Sequence, residues 1–304
     1  MLPNFIGIGA PKAGTTWLAR CLGEHPEIHV APIKETKFFD DEQIEGRRAE
    51  YEAHFKGAGN AKAVGEISVR YLASRRGAAE RIRQWLPDAR LFVSLRNPVD
   101  QIWSHYWHLQ RQNFHQGDVS DLADTVEEAV RRYPDLLIEP ALYGKHLAHW
   151  LHVFDRGRLH VIFYDDIAAR PARVVEGLYA FLGVDPAFRA PGLSVRDASV
   201  RRGTSPRTPW LGRAHRALYA TLGTGLYGSL KRALGPRRAD AVKRRLRVRE
   251  IMEGVFMRSG YPSLPPGTQA HLAELVRDDV RRLEALVGRD LATWLDPAAG
   301  ETDG

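Results

Sequence analysis

Three short stretches of this chain carry residue types and spacings suited to anion chemistry. The first is Gly9-Ala10-Pro11-Lys12-Ala13-Gly14-Thr15-Thr16-Trp17, set between the apolar run Phe5-Ile6-Gly7-Ile8 and a helically spaced stretch, Trp17 to Leu22. A loop in that setting lies at a helix N-terminus, where free backbone N–H groups and the helix dipole hold phosphate-like anions. Gly9 and Gly14 keep the glycine spacing of a nucleotide phosphate loop, but Thr15 stands where that loop has its lysine, and Lys12 comes three residues earlier. The second stretch is Arg96-Asn97-Pro98 and the residues on to Ser104, after the apolar run Leu91–Leu95. Asn97 suits an N-cap and Pro98 a first helical position. Arg96 then leaves the end of a strand, and Ser104 lies about two turns along a helix. The third is Lys34-Glu35-Thr36-Lys37-Phe38-Phe39-Asp40, after the strand-like Ile28-His29-Val30. Glu35 there is either a base beside an anion site or a surface carboxylate paired with Lys34 or Lys37.

The run Pro-Lys-x-Gly-Thr-Thr-Trp resembles the 5′-phosphosulfate loop of sulfotransferases that use 3′-phosphoadenosine-5′-phosphosulfate (PAPS). The resemblance implies donor contacts from Lys12, Ala13, Gly14, Thr15, Thr16 and Trp17, with the Trp17 indole either against adenine or in the core. In that family an Arg-[Asn/Asp]-Pro followed by Ser eight residues after the arginine is the 3′-phosphate site, which falls on Arg96 and Ser104. Val200 to Arg207, through Arg201, Arg202 and Gly203, is either the family's basic-Gly loop over that phosphate or an ordinary basic loop. The Lys-Glu-x-x-Phe-Phe element is similar to that of heparan-sulfate-type and related bacterial sulfotransferases, where the glutamate is the base. The His-Leu-Pro context of the small-molecule branch is missing from this chain, which favours Glu35 and leaves His105 and His108 as the fallback. The segment Gly65 to Tyr71 departs from the glycan enzymes. Ile67 replaces their lysine, so glycan specificity is in doubt and Arg70 or Lys37 would have to stand in.

Sulfuryl transfer asks for an acceptor that loses a proton, for charge held on the moving group, and for a stabilised leaving phosphate. The resemblance implies Glu35 as base and Lys12 on the leaving phosphate, with PAPS as co-substrate and its 3′,5′-bisphosphate (PAP) as product. No metal is expected, because the chain shows no clustered His, Cys and carboxylate spacing. Two rivals stand beside this reading. A phosphate-loop kinase would want lysine at Thr15 and an acidic metal ligand where Ser94 and Arg96 fall. A non-catalytic binder of anionic surfaces would leave both nucleotide motifs unexplained.

The elements that must position these residues follow from pattern. Strands are predicted at 4–9, 62–68, 90–95 and 159–164, alternating with helical stretches, the last at 269–287. This predicts an α/β fold with a mainly parallel, phosphate-loop-like sheet flanked by helices on both faces, and ligands beyond the strands' carboxyl ends. Loops are signalled at 40–50, 111–121, 133–140, 185–209 and 260–268. The 304 residues read as one domain, 1–304, with a basic helical insertion or lid at about 205–258. Of the formal charge of +7, the stretch 196–258 contributes sixteen Lys/Arg against four Asp/Glu, leaving the remainder acidic. That stretch is either a set of solvated helix faces or a basic lid drawing in the donor and an anionic, membrane-surface or acidic acceptor. A small-molecule, glycan or lipid acceptor is expected and, with no recognisable module, no nucleic acid. The single cysteine, Cys21, reads as core. The early first strand leaves no room for a leader and no run is apolar enough to span a bilayer, so the expected location is cytoplasmic. The ending Gly288 to Trp294 is similar to the tail of many bacterial sulfotransferases, with Leu291 and Trp294 expected on the core.

Overall fold

The computed structural model describes residues 1–116, 123–193, 204–206 and 257–295. Five strands form one parallel sheet: β1 (Phe5–Gly9), β2 (Ile28–Val30), β3 (Ala63–Ile67), β4 (Arg90–Leu95) and β5 (Leu159–Phe163), in the order β2-β3-β1-β4-β5. Phe5 pairs with Gly65 on one side and Arg90 on the other, so β1 is central. From β1 the chain first builds outward to β2 and β3, then returns to β4 on the opposite flank. The loops leaving β1 and β4 therefore diverge at a topological switch point, which opens a crevice at the strands' carboxyl ends.

Helix α1 (Thr15–Gly23) packs on α9 (Pro171–Leu182) over one face of the sheet. Trp17, Leu18, Cys21 and Leu22 meet Phe5, Ile67, Phe92 and Ile162 there, with Val175, Leu178 and Leu182 from α9. The alternate strand residues Ile6, Ile8, Leu91 and Val93 are buried as fully. Both faces are thus covered, as the unbroken apolar runs of a parallel sheet require. Helix α7 (Tyr143–Val153) packs on α3 (Ala78–Trp85) and on the long α10 (Pro266–Val287). The Asp279 carboxylate of α10 accepts the Gly144 and Lys145 N–H groups at the start of α7, both at 2.7 Å. Among the remaining helices are α2 (Arg48–Ala53), α4 (Pro98–Gln116), α5 (Val126–Arg132), α6 (Pro134–Leu137) and α8 (Tyr164–Ala169).

The residues fall into two compact units. The first, residues 1–102, 133–200 and 265–304, holds the sheet. The second, residues 103–132 and 201–264, has its own polar ties: Tyr106 Oη donates to the Ala123 and Asp124 carbonyls, and Trp103 Nε1 donates to the Pro262 carbonyl at 3.0 Å. In it β6 (Thr204–Pro206) pairs antiparallel with β7 (Met257–Ser259), at the two ends of the expected basic insertion. Residues 207–256 lie outside the described residues.

Two expected loops are partly helical. Helix α4 runs on to Gln116, because no Gly or Pro interrupts it before Gly117. Pro134 opens α6 instead of breaking the chain, since its fixed φ suits a first helical position. The last helix begins three residues early for the same reason, with Pro266 at its first position.

Candidate active site

Three segments leave the carboxyl ends of β1, β4 and β2 and carry the residues singled out from the sequence. After β1, strand β4 grips the loop at two points. The Ala10 N–H donates to the Ser94 carbonyl at 2.8 Å, and Ser94 Oγ donates to the Ala13 carbonyl at 2.5 Å. Gly14 follows with φ of 82°, and an added Cβ there would come within 3.2 Å of both Tyr164 and Ile167. Only glycine meets both conditions. Helix α1 starts at Thr15, so the N–H groups of Gly14, Thr15 and Thr16 have no carbonyl one turn back and mark the positive end of the helix dipole. The Trp17 N–H is the first to close a turn, onto Gly14 at 3.0 Å.

Lys12 sits in this loop with φ of 64°. Thr15 is buried and Thr16 exposed. Of the two roles open to Trp17, the structure shows the core one. Its ring is 2% exposed among the residues of α1 and α9, and its Nε1 donates to the Gly192 carbonyl at 3.0 Å.

After β4 comes Arg96, then Asn97, whose side chain accepts the Val99 N–H at 3.0 Å and caps α4 as its sequence indicates. The Arg96 guanidinium reaches Asp100 at 3.3 Å and stands 5.0 Å from the centroid of the Tyr164 ring. Its Nε is buried without a hydrogen-bond acceptor among the described residues. Ser104 is buried on α4, in the second unit, as are the half-buried His105 and His108, whose ring centroids are 6.3 Å apart. Arg201, Arg202 and Gly203 lie outside the described residues.

The segment after β2 is tied back to the end of β3: the Glu35 N–H donates to the Ile67 carbonyl at 3.1 Å. Glu35 is half-buried with φ of 65°, and Lys37 is exposed with φ of 56°. Among the described residues the non-glycines with positive φ are Lys12, Glu35 and Lys37. Each costs roughly 1–3 kcal/mol of backbone strain, which persists only where the surroundings over-determine it. All three fall on the residues that sequence chemistry marked. A direct link joins two of these segments, from Lys34 Nζ to Thr16 Oγ1 at 2.7 Å. Ile67 is buried in the core, and Arg70, largely exposed, lies 3.6 Å from Asp40.

One site residue was not singled out from sequence. Tyr164 follows β5 directly, and its ring lies against both Gly14 and Arg96. The available signal was an aromatic residue at the exact end of an apolar strand, ahead of two acids, which is where this kind of sheet collects ligand contacts. The C-terminal residues brace the same end of the sheet. Trp294 packs on Phe163, its Nε1 donates to Asp165 at 2.9 Å, and its carbonyl accepts Asn97 Nδ2 at 3.4 Å. Leu291 and Trp294 are buried, as their pattern indicates.

An anion-seeking loop after the central strand of a parallel sheet, with an arginine after the next strand, defines an α/β protein of the phosphate-loop class. The chain belongs to the sulfotransferase family: the family described as Sulfotransferase domain matches residues 2–193. The human bifunctional heparan sulfate N-deacetylase/N-sulfotransferase 2 is 28% identical over 202 residues, 61% of this chain and 22% of that protein. The membrane-associated sulfotransferase kil1 of Dictyostelium discoideum is 24% identical over 269 residues, 60% of this chain and 56% of that one. The chain thus spans about a fifth of the length of the heparan sulfate relative it matches. A crystal structure of a sulfotransferase from Alicyclobacillus acidocaldarius aligns with TM-score 0.65 and 27% identity, over 97% of this chain and 100% of that one. No described helix is long and apolar enough to cross a membrane.

Proposed function

We propose that the chain transfers a sulfuryl group from PAPS to a hydroxyl or amine, with Glu35 as general base and Lys12 stabilising the leaving phosphate. One observation carries the reading. The Lys12 loop and the Arg96 turn leave the adjoining strands β1 and β4, and the Glu35 segment, which leaves β2, is tied by its Glu35 N–H to the end of β3, the strand on the other side of β1. The positive charge needed for an anionic donor is then supplied by Lys12, the N-terminus of α1 and Arg96, and the Glu35 backbone is tied to the end of β3, on the other side of β1 from β4.

The donor fits the residues present. Thr15, Thr16 and the N–H groups of Ala13 and Gly14 offer donors to a 5′-phosphate. The buried Nε of Arg96, which has no acceptor among the described residues, is a donor that a 3′-phosphate oxygen would satisfy, strengthened by charge. The family resemblance assigns Ser104, Arg201, Arg202 and Gly203 to donor binding as well. The Tyr164 ring backs both Gly14 and Arg96. At the reacting end, a half-buried Glu35 takes the acceptor's proton while Lys12 holds the charge that develops on the leaving oxygen. Heparan sulfate is named for the relatives, not for this chain. Ile67 is apolar and buried where the glycan enzymes carry a lysine, so the acceptor is a small molecule, a glycan or a lipid.

The test is binding followed by turnover. PAP should raise the melting temperature of the protein by several degrees in excess EDTA, while ATP with Mg²⁺ should not. Stabilisation by ATP–Mg²⁺ alone, with no response to PAP, overturns the assignment in favour of a phosphate-loop kinase.

A further inference from the structure

Glu66 lies on β3 with no exposed surface. No cation touches its carboxylate in the hydrogen-bond and ion-pair network of the described residues; hydroxyls do. Tyr51 Oη and Tyr71 Oη donate to Oε1 at 2.9 and 3.1 Å, and Thr36 Oγ1 and Ser68 Oγ donate to Oε2 at 2.5 and 2.7 Å. Four O–H donors fill the four lone-pair sites of one carboxylate. Burial and the Glu66 charge push the Tyr51 hydroxyl well above its ordinary range, and the same two causes raise Tyr71, so both stay protonated as donors.

A carboxylate can only accept, whereas a hydroxyl that donates to it can still accept from elsewhere. Three of these four do so, and from consecutive amides. The Lys37 N–H donates to Ser68 Oγ at 3.4 Å, the Phe38 N–H to Thr36 Oγ1 at 3.3 Å, and the Phe39 N–H to Tyr71 Oη at 3.2 Å. The hydroxyl shell thus turns one buried negative charge into three acceptors for the backbone that follows Glu35. Phe38 and Phe39 lock the far end of the segment by stacking and edge contacts with Tyr51 and Trp85. The left-handed backbone at Glu35 and Lys37 brackets Thr36, the residue that reaches Glu66 directly.

We propose that Glu66 is a positioning residue for the base: through Thr36, Ser68 and Tyr71 it holds the 35–39 backbone in the strained turn that presents the Glu35 carboxylate. The inference rests on the reading of Glu35 as the base. It also gives a reason for a buried carboxylate with no cation, an arrangement that packing alone does not call for.

Four variants separate the outcomes. Thr36→Val keeps the side chain's size and removes the hydroxyl that links Glu66 to the turn, while Thr36→Ser keeps the hydroxyl. Thr36→Val should lower kcat by about 10- to 100-fold, the scale for a reacting group displaced by an ångström, with the Kd for PAP within about twofold of wild type. Thr36→Ser should recover most of that loss. The acid limb of the pH–rate profile should persist in Thr36→Val, because the base is present but misplaced, and should vanish in Glu35→Gln. Glu66→Gln, if it folds, should behave as Thr36→Val and add nothing further to Glu35→Gln. If Glu35→Gln is inactive while Thr36→Val turns over within twofold of wild type, the positioning role is overturned and the base survives. If Glu35→Gln itself retains near-normal turnover, the base assignment falls, and the positioning role with it.

Discussion

Lys34 Nζ donates to Thr16 Oγ1 at 2.7 Å, tying the residue before the candidate base to the first turn of the helix that heads the anion loop. The two residues come from segments that leave different strands, so the contact couples the proposed donor end of the site to the proposed acceptor end. Lys34→Met keeps the apolar stem and loses the ammonium. It should weaken PAP binding by roughly 3- to 10-fold, the net scale of one ordinary hydrogen bond, and the effect should shrink as salt is raised. Calorimetric titration at two ionic strengths measures both, and a salt-independent loss would show that the contact does not bear on the donor's charge.

Lys12→Ala separates turnover from binding. A group aimed at charge that develops on the leaving oxygen should cost ~100- to 1000-fold in kcat when removed, with PAP affinity changed far less. A variant within a fewfold of wild-type turnover would remove Lys12 from the chemistry.

Arg96→Ala should act on the 3′-phosphate alone. Binding of PAP should weaken by about 10- to 100-fold, corresponding to charge-assisted hydrogen bonds lost, while adenosine 5′-phosphosulfate, which has no 3′-phosphate, should bind as before. Equal losses for the two nucleotides would contradict the placement.

Glu35→Gln should lower turnover by something like 100- to 10,000-fold, the range for a positioned base, and leave PAP binding nearly intact. Single-turnover measurements with saturating donor decide this, and loss of donor binding instead would assign Glu35 to orienting the nucleotide.

Acid stability should report two histidines. Burial holds the His146 and His160 imidazoles below the ordinary range, with Arg156 acting in the same direction on His160, and the Glu139 carbonyl and carboxylate opposing it at His146. A lowered folded-state pKa means that stability is fully present above the unfolded value of about 6.5 and is lost as pH falls below it, because the unfolded chain takes up the proton first. Melting temperature should be flat from pH 8 to 7 and decline from about 6.5 toward 5. His160→Gln, which removes one of the two groups, should make that decline shallower, and an unchanged slope would exclude His160 as a contributor.

Local chemistry was legible in the residues themselves. Strand ends came within one residue of their apolar runs for β1, β3, β4 and β5, because in a sheet covered on both faces the runs are unbroken and their ends are marked by Gly, Pro, Asn or charge. The Lys12 loop, the Asn97 cap and Arg96 at a strand end are likewise decided within a few residues, by glycine's left-handed freedom, a side-chain acceptor and a proline. What tertiary structure decided involves partners far apart in the chain. Trp17 was open between adenine and core until Gly192, 175 residues on, took its indole N–H. Tyr164 joins the site only because β5 lies beside β4 and places its ring between Gly14 and Arg96. Glu66 stood in a segment noted only for its missing lysine, and its role depends on hydroxyls from Thr36, Tyr51, Ser68 and Tyr71 meeting at one carboxylate. Sequence spacing determines which groups can sit on one turn; only the folded sheet, by choosing which strand ends adjoin, determines which of those groups meet.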